Sequence, residues 1–282
     1  MGRSAFSEDT SRDADQRFAP RGKGGEWFMN KMRKIALVLS LIILATFIVE
    51  SSQASVHNLA AALDAKYSVG NHVTFGHYPQ TSEGNDSTEI EWLVLERDGN
   101  KALLLSQYAL DTITYNKDYV NITWEECTLR TWLNETFLNK AFTAEEQKGI
   151  LLTNVDNSSS QSYSDYNTNS GNNTQDKIFL LSYSEANKYF NVQHYTVNGS
   201  GNNTKSRVAP TAYAIKQGAY TYSGYKTADG KVAAYWWLRS SGSFQDDAAS
   251  IELDGSFSHC NVHDYQVCVR PALWIDLESG IF

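Results

Sequence analysis

Strand-like apolar runs stand near both ends of the folded part of this chain, and they constrain its architecture more than any other feature. The segment 72–78 alternates apolar and polar side chains. The runs 90–96 and 102–106 flank an Asp-Gly-Asn turn, which is typical of a β-hairpin. Further strand patterns follow residue 234 and end in the run 266–277. The pattern predicts one α+β domain, with N- and C-terminal strands in a shared, mostly antiparallel sheet and helices between them.

Three capping signals of the form Ser/Thr-x-x-Glu predict helices in the middle of the chain. They begin at Thr123, Thr143 and Ser182, and the second predicted helix runs to about residue 152. The segment 154–176 is dominated by Asn, Ser, Thr and Tyr, and the segment 196–206 has a similar composition. We predict that both segments are exposed loops with weak order.

A 15-residue apolar run, Ile35–Val49, follows basic residues at positions 31, 33 and 34, and small residues follow it. This order predicts a secretory signal peptide over 29–54, cleaved after Ala54, and a secreted or cell-surface protein. The alternative is a single membrane anchor. Fifteen helical residues span only about 22 Å, whereas the hydrocarbon core of a bilayer is about 30 Å thick.

The start of the chain suggests a translation start at Met29. Residues 23–26 would be encoded by a purine-rich sequence of the ribosome-binding type, so we expect 1–28 to be an upstream extension. We then expect a leader over 55–69 and one domain over 70–278. Residues 55–282 carry 16 basic and 26 acidic side chains, a net charge of −10. This acidic chain has no basic block, which argues against nucleic acid as a partner, and we expect no membrane association after cleavage.

Six motifs carry a resemblance to a known family. They are GHYPQT (76–81), IEWLVLE (90–96), TWEECTLRTWLN (123–134), FLLSYSEANKYF (179–190), WWLRSSG (236–242) and VRPALWIDL (269–277). Together they resemble a family of exported bacterial domains of unknown function. The closing strands resemble the end of the C-type-lectin-like fold, which formylglycine-generating-enzyme-type domains and retroelement-diversified proteins share. The resemblance implies that fold, with its ligand surface on the C-terminal loops.

The three cysteines fall into two groups. Cys260 and Cys268 enclose seven residues and lie symmetrically about Asp264, as cross-strand partners would. The spacing resembles that of the second disulfide of C-type lectins, and export permits oxidation. A disulfide and two free thiols are therefore both open. Cys127 lies among aromatic residues in a predicted helix, and we expect it to be a small buried hydrophobic residue.

The residues give no positive sign of catalysis or of a metal. Formylglycine-type oxidation needs a reactive cysteine pair, and the spacing of Cys260 and Cys268 reads as structural. The chain has neither a G-x-S-x-G motif nor the Ca²⁺-ligating motifs of true C-type lectins. We predict no cofactor and no metal. We expect Arg239 and Arg270 to be buried and paired. We expect the four tryptophans in strand patterns to be core residues: Trp92, Trp236, Trp237 and Trp274.

The predicted ligand-binding residues share polar or aromatic character and a place in two loops that flank the final strands. They are Ser243, Phe244, Asp246, Asp247, Ser256, Ser258, His259, Asn261, His263, Asp264 and Tyr265. Loops on a rigid scaffold commonly hold binding residues, and these residue types suit adaptable recognition. The alternative is that they form ordinary polar turns.

These observations favour an exported, non-catalytic binding module that recognises a surface glycan or protein through its C-terminal loops. Several loop residues can arise from an Asn codon by adenine changes, so a retroelement-diversified receptor is a sharper form of this hypothesis. Two alternatives stay open. One is an enzyme related to the formylglycine-generating group, and the other is a structural protein of the cell envelope.

Overall fold

The computed structural model describes residues 23–195 and 203–282. Most of the expected upstream extension, 1–22, lies outside these residues, as does the part 196–202 of the second predicted loop. The chain divides into two compact units, with the boundary between Ala60 and Ala61.

The first unit is dominated by helix α1 (Lys23–Lys66), which continues beyond the unit boundary. The apolar run predicted as a signal peptide lies inside this helix, and its side chains are exposed. By length and composition the helix could cross a membrane, and its place near the N-terminus is compatible with a signal sequence.

The second unit, Ala61–Phe282, is a mixed α+β structure built on two curled, mostly antiparallel sheets. The first sheet has the order β1-β2-β3-β13 and the second the order β11-β10-β9-β12-β4. Two further pairs, β5-β6 and β7-β8, stand apart from them. The strands are β1 (His72–Tyr78), β2 (Thr88–Asp98), β3 (Lys101–Ser106), β4 (Asp111–Thr112), β5 (Thr153–Val155), β6 (Thr174–Asp176), β7 (Thr221–Lys226), β8 (Val232–Ala234), β9 (Trp236–Ser241), β10 (Asp247–Ile251), β11 (Phe257–Asn261), β12 (Cys268–Val269) and β13 (Ala272–Asp276).

The predicted shared sheet is confirmed. Strand β13 pairs antiparallel with β3, with Leu273 opposite Leu104. The predicted hairpin of β2 and β3 is also present. Gly99 adopts a φ of 56° in its turn, a conformation that favours glycine. The strands nearest the two ends of the compact unit, β1 and β13, are therefore the two edges of one hydrogen-bonded sheet.

The chain crosses from one sheet to the other twice, and the two crossings lie side by side. It leaves β3 for β4 after Ser106, and it leaves β12 for β13 through Arg270 and Pro271. The Ser106 amide donates to the Pro271 carbonyl at 2.9 Å, and the Leu110 amide donates to the Val269 carbonyl at 3.0 Å. These bonds fix the two crossings side by side.

The first predicted helix begins later than the capping signal indicates. Helix α2 (Thr128–Trp132) is followed by a π-helical turn (Leu133–Phe137) and by α3 (Leu138–Ala141). Its N-cap is Cys127, whose Sγ accepts from the Arg130 amide, and not Thr123. The Thr128 amide donates instead to the Asn116 side chain. The local cap has therefore moved from Thr123 to Cys127, and the Asn116 side chain accepts a further amide bond.

The second predicted helix is wrong in length. Thr143 and Glu146 do form a reciprocal capping box, but the helix is a single 3-10 turn, Glu146–Lys148. The Leu151 amide donates to the Trp274 carbonyl on β13, so the chain is already bound to the sheet edge there. The third helix is confirmed as α4 (Tyr183–Phe190), with Ser182 and Glu185 in a full capping box. A further helix, α5 (Ala212–Gln217), was not predicted.

The segment 154–176 is not the weakly ordered loop that its composition predicts. Its ends form the β5-β6 pair, and Asp176 is fully buried. The Asp176 carboxylate accepts from Arg130 Nε at 2.7 Å and from Trp124 Nε1 at 3.1 Å. Polar side chains here are structural because they bind one another and the helices beneath them.

One hydrophobic core unites both sheets and the helices. Trp92, Trp236 and Trp237 are fully buried, as predicted. Trp274 is only half-buried, which corrects the prediction. It lies on β13, an edge strand, and lines an open cleft with Leu152.

Arg239 on β9 is buried and paired, as expected, with 2% of its surface exposed. Its guanidinium forms a bidentate ion pair with Glu185 at the start of α4. It also donates to the carbonyls of Leu180 (2.8 Å) and Asp156 (2.9 Å) and to the Asn157 side chain (3.1 Å). One side chain therefore attaches the middle of the chain to the second sheet.

Replacing Glu185 by Gln should lower the free energy of unfolding by about 2–3 kcal/mol, because the amide keeps the cap of α4 but leaves a buried guanidinium without its counter-charge. Urea denaturation measures the change. The control Glu145→Gln breaks an exposed pair with Lys148 and should cost less than about 0.5 kcal/mol. Equal effects of the two substitutions would contradict a dominant role for the buried pair.

Candidate functional site

Three loops meet at one end of the second sheet, and we call this surface the loop face. They are the segments 113–122 after β4, 242–247 between β9 and β10, and 261–266 after β11. The segments 242–247 and 261–266 contain eight of the eleven predicted binding residues. A ninth, His259, lies on β11 just before the second of these segments.

Backbone hydrogen bonds hold these loops together. The Val262 amide donates to the Asp246 carbonyl at 3.0 Å, and the Val262 carbonyl accepts from the Asn116 amide at 2.8 Å. The Ile122 amide donates to the Gln245 carbonyl at 3.1 Å. Because each loop is bonded to another through its backbone, the three loops form one connected surface.

The loop face exposes three large aromatic side chains. Tyr119 is 61% exposed, and Phe244 and Tyr265 are each 67% exposed. The Tyr119 hydroxyl is hydrogen-bonded to Asp246, and this bond together with the negative charge of Asp246 raises the pKa of Tyr119. Exposed aromatic rings beside fixed polar groups supply stacking area and hydrogen bonds together.

A chain of hydrogen bonds runs inward from Ser243. Ser243 Oγ lies 2.9 Å from His259 Nε2, and the Tyr166 hydroxyl lies 2.9 Å from His259 Nδ1. The same hydroxyl lies 3.0 Å from His194 Nε2. His194 Nδ1 lies 2.8 Å from the Tyr195 carbonyl, which can only accept.

When both imidazoles are neutral, the Tyr195 carbonyl determines which group donates and which accepts in each of these hydrogen bonds. His194 Nδ1 must donate to it, so His194 Nε2 accepts from the Tyr166 hydroxyl. The Tyr166 oxygen then accepts from His259 Nδ1, and His259 Nε2 accepts from Ser243. The proton of Ser243 therefore points at an unprotonated nitrogen.

Electrostatics favour the neutral form of His259. Burial lowers its pKa, the Asp247 carboxylate opposes this, and His194 lowers it further. The Asp247 Oδ2 atom lies 3.6 Å from His259 Nε2. Burial also raises the pKa of Asp247. The group that faces His259 Nδ1 is a tyrosine and not a carboxylate, so the arrangement differs from a Ser-His-Asp triad.

Most of the compact second unit matches a known protein family. Residues 99–277, more than half of the chain, match the family described as "Domain of unknown function (DUF6273)". The chain belongs to this family. No curated protein and no solved structure matches the chain. The DUF6273 region contains the whole loop face and every strand from β3 to β13.

Two of the predicted binding residues lie away from the loop face of the DUF6273 domain. Ser256 is fully buried in the β10-β11 turn, at the opposite end of that hairpin, and its hydroxyl donates to Asp254 at 2.6 Å. Ser258 pairs across from Ser250 and so faces the opposite side of the sheet from His259. The expectation that Ser256 is exposed is wrong, because the side chain closes the turn.

Two other predicted residues have turn-forming bonds. Asn261 Oδ1 accepts from the His263 amide, and Asp264 Oδ1 accepts from the Gln266 amide. For Asn261 and Asp264, these contacts agree with the alternative prediction that the residues form ordinary polar turns. Sequence reasoning missed Tyr119, Tyr166 and His194, which come from distant segments and carry no local motif. Only the fold brings them to the site.

In the described parts of the DUF6273 domain, no group of three or more His, Cys, Asp and Glu side chains is placed to hold a metal ion. The cysteines are all free. Cys260 and Cys268 lie on β11 and β12, which β10 and β9 separate. Three strand spacings are about 14 Å, whereas bridged Cα atoms lie within about 7 Å. In the structure, Cys260 and Cys268 are therefore two free thiols and do not form a disulfide.

Burial raises the pKa of each of the three thiols, Cys127, Cys260 and Cys268, to about 12. A thiol needs its thiolate form to react, so the native protein should resist a thiol-specific reagent at pH 8. In guanidinium chloride without reductant, all three thiols should react. Rapid reaction of two native thiols would favour the formylglycine-type alternative, and only one reactive thiol after unfolding would indicate a disulfide.

The His259 imidazole should titrate with a midpoint below the unperturbed value of about 6.5. Since its pKa is lower in the folded protein, its contribution to stability is complete above about 6.5 and is lost as the pH falls from there through the lower pKa of the folded state. NMR of the imidazole protons measures the midpoint, and His259→Gln identifies the resonance. A midpoint above 6.5 would contradict the directed hydrogen-bond chain.

Proposed function

We propose that this protein is an exported, non-catalytic binding module with a C-type-lectin-like fold that recognises a surface glycan or protein through the loop face. The observation that carries the proposal is the exposure of Tyr119, Phe244 and Tyr265 on loops bonded to one another. Aromatic side chains on connected loops lose little conformational entropy when a ligand binds.

The lectin-like part of the proposal is supported by the course of the chain. The strands nearest the ends of the compact unit share one sheet, the helices lie between them in sequence, and the last strands carry the exposed loops. Export is supported by the apolar stretch of α1 and the basic residues that precede it. We infer cleavage after Ala54 and a secreted or surface-attached product.

The chemistry of the loop face favours recognition by stacking and hydrogen bonding. Phe244 and Tyr265 offer flat apolar area that suits the C–H face of a sugar ring or an apolar side chain. Ser243, Asp246 and Asp247 lie beside Phe244 in the same segment and supply hydroxyl and carboxylate groups. The two carboxylates disfavour acidic ligands at this surface.

A second candidate, acyl transfer through Ser243, is favoured by one observation. Ser243 Oγ and His259 Nε2 lie 2.9 Å apart, as a nucleophile and its base would. The partner of His259 Nδ1 is Tyr166 and not a carboxylate, which weakens this candidate. Covalent labelling of Ser243 by a fluorophosphonate probe would favour catalysis over pure binding.

Two further hypotheses can be told apart from the binding module by observation. In a retroelement-diversified receptor, the codons of the loop face would vary between genomes, next to a reverse transcriptase gene and an adenine-rich partial repeat. A structural envelope protein would associate tightly with the cell wall without a saturable soluble ligand.

The purified protein should bind a bacterial wall, mucin glycan or host surface-protein preparation saturably, and equally well with EDTA. Phe244→Ala and Tyr265→Ala should each weaken binding about tenfold, because aromatic side chains that a ligand covers contribute much of the binding energy. Leu152→Ala is the matched control, since Leu152 is 65% exposed but lines a separate cleft. It should bind like the natural protein.

Equal loss in all three variants would show that binding does not depend on the loop face. Complete absence of saturable binding would favour the structural alternative. Loss of binding in EDTA would overturn the expectation that no metal takes part.

A further inference from the structure

A small cavity lies next to the place where the chain crosses between the two sheets. Its volume is about 170 Å³. Arg270 on the crossing forms part of its wall, together with Tyr108 after β3, Lys205 and Arg207 before α5, and Asp229 in the β7-β8 turn. None of these residues belongs to the loop face.

Arg270 is buried in an unusual state for a charged side chain, with only 3% of its surface exposed. Its guanidinium lies 4.9 Å from the Trp236 ring centroid and 5.5 Å from that of Phe190. Its Nε donates to the Ser106 carbonyl at 3.0 Å. Buried Nη1 has no hydrogen-bond partner, and no carboxylate among residues 23–195 and 203–282 pairs with the group.

The contrast with Arg239 shows what is missing. Arg239 is equally buried, but Glu185 neutralises it and its three nitrogens all donate to protein acceptors. Arg270 has one acceptor, on Nε. Nη1 is closed off by the protein, whereas Nη2 has no described protein acceptor and could donate to an oxyanion. A buried charge without a counter-charge is unfavourable unless something in the cavity supplies one.

The cavity wall offers Arg270 no free carboxylate, although the protein is acidic overall. Lys205 lies in the wall with Arg270, and Asp229 is the one carboxylate among the described lining residues. Asp229 is already paired with Lys231 at 2.9 Å. Lys231 also donates to the Tyr108 hydroxyl at 2.6 Å. The wall therefore carries an excess of positive charge around one buried guanidinium.

We propose that this cavity binds a small oxyanion, a carboxylate, sulfate or phosphate group, through Nη2 of Arg270, with Lys205 in the same wall. Burial lowers the pKa of Arg270 to about 9, which is above neutral pH, so the guanidinium is charged under physiological conditions. The anion would provide the counter-charge that the fold does not. The site is separate from the loop face and does not depend on the proposed glycan or protein binding there.

Thermal denaturation of the purified protein, with anions added at constant ionic strength against chloride, tests the proposal. The probes are acetate and glucuronate for carboxylates, and sulfate and inorganic phosphate for the other oxyanions. At least one should raise the Tm saturably, because a ligand that binds only the folded state stabilises it. The order of the four probes identifies which oxyanion chemistry the cavity prefers.

Variants separate this site from general salt effects. Arg270→Gln should weaken binding of the preferred anion tenfold or more, since each tenfold loss corresponds to about 1.4 kcal/mol. Lys205→Ala should weaken it about threefold, and Asp229→Asn should strengthen it by a similar factor, because repulsion from the wall is removed. Lys148→Ala is the matched control, because it changes the net charge as Lys205→Ala does. Lys148 pairs with Glu145 away from the cavity, so this substitution should leave the anion affinity unchanged.

The two surface variants keep the proposal testable if Arg270→Gln does not fold, because they alter the cavity charge in opposite directions. Opposite shifts in anion affinity for Lys205→Ala and Asp229→Asn would support the site. Equal stabilisation of all variants by the anions, or no saturable stabilisation of the natural protein by any of the four, would overturn it. Glycan or protein binding at the loop face would be unaffected by either result.

Discussion

The buried guanidinium of Arg239 is the interaction on which the middle of this protein depends. It reaches from β9 to the capped start of α4, to the Leu180 carbonyl before that helix, and to the turn at Asp156 and Asn157. The segment that leads into α4 also packs Leu180, Ala186 and Phe190 into the hydrophobic core. The core holds this segment against the sheet, and the directed hydrogen bonds and charge of Arg239 specify its position there.

The strands and the capped helix α4 could be predicted because their signals are local. Alternating side chains and a glycine turn define β2 and β3, and the Ser182–Glu185 box defines α4. The lengths of the other helices could not be predicted. The chain at the end of the second helix binds a distant strand, since the Leu151 amide donates to the Trp274 carbonyl, and such tertiary partners override local propensity.

Composition misled in the segment 154–176, since Asn, Ser and Thr are common both in loose loops and in dense polar networks. The same ambiguity limited the prediction of the site. Nine predicted residues reach the loop end of the hairpin, but Ser256 is used to close a turn. Tyr166 and His194 join His259 only in three dimensions, so no motif in one stretch of sequence could reveal them.

The pairing of β3 with β13 also has a kinetic consequence. Residues 101–106 must wait for residues 272–276 before the first sheet is complete, so this part of the fold has a high contact order and closes a very long loop. A nascent chain lacks that edge until residues 272–276 have been synthesised. For the export that we propose, such a delay would be an advantage, because the first sheet is complete only after residues 272–276 have crossed the membrane.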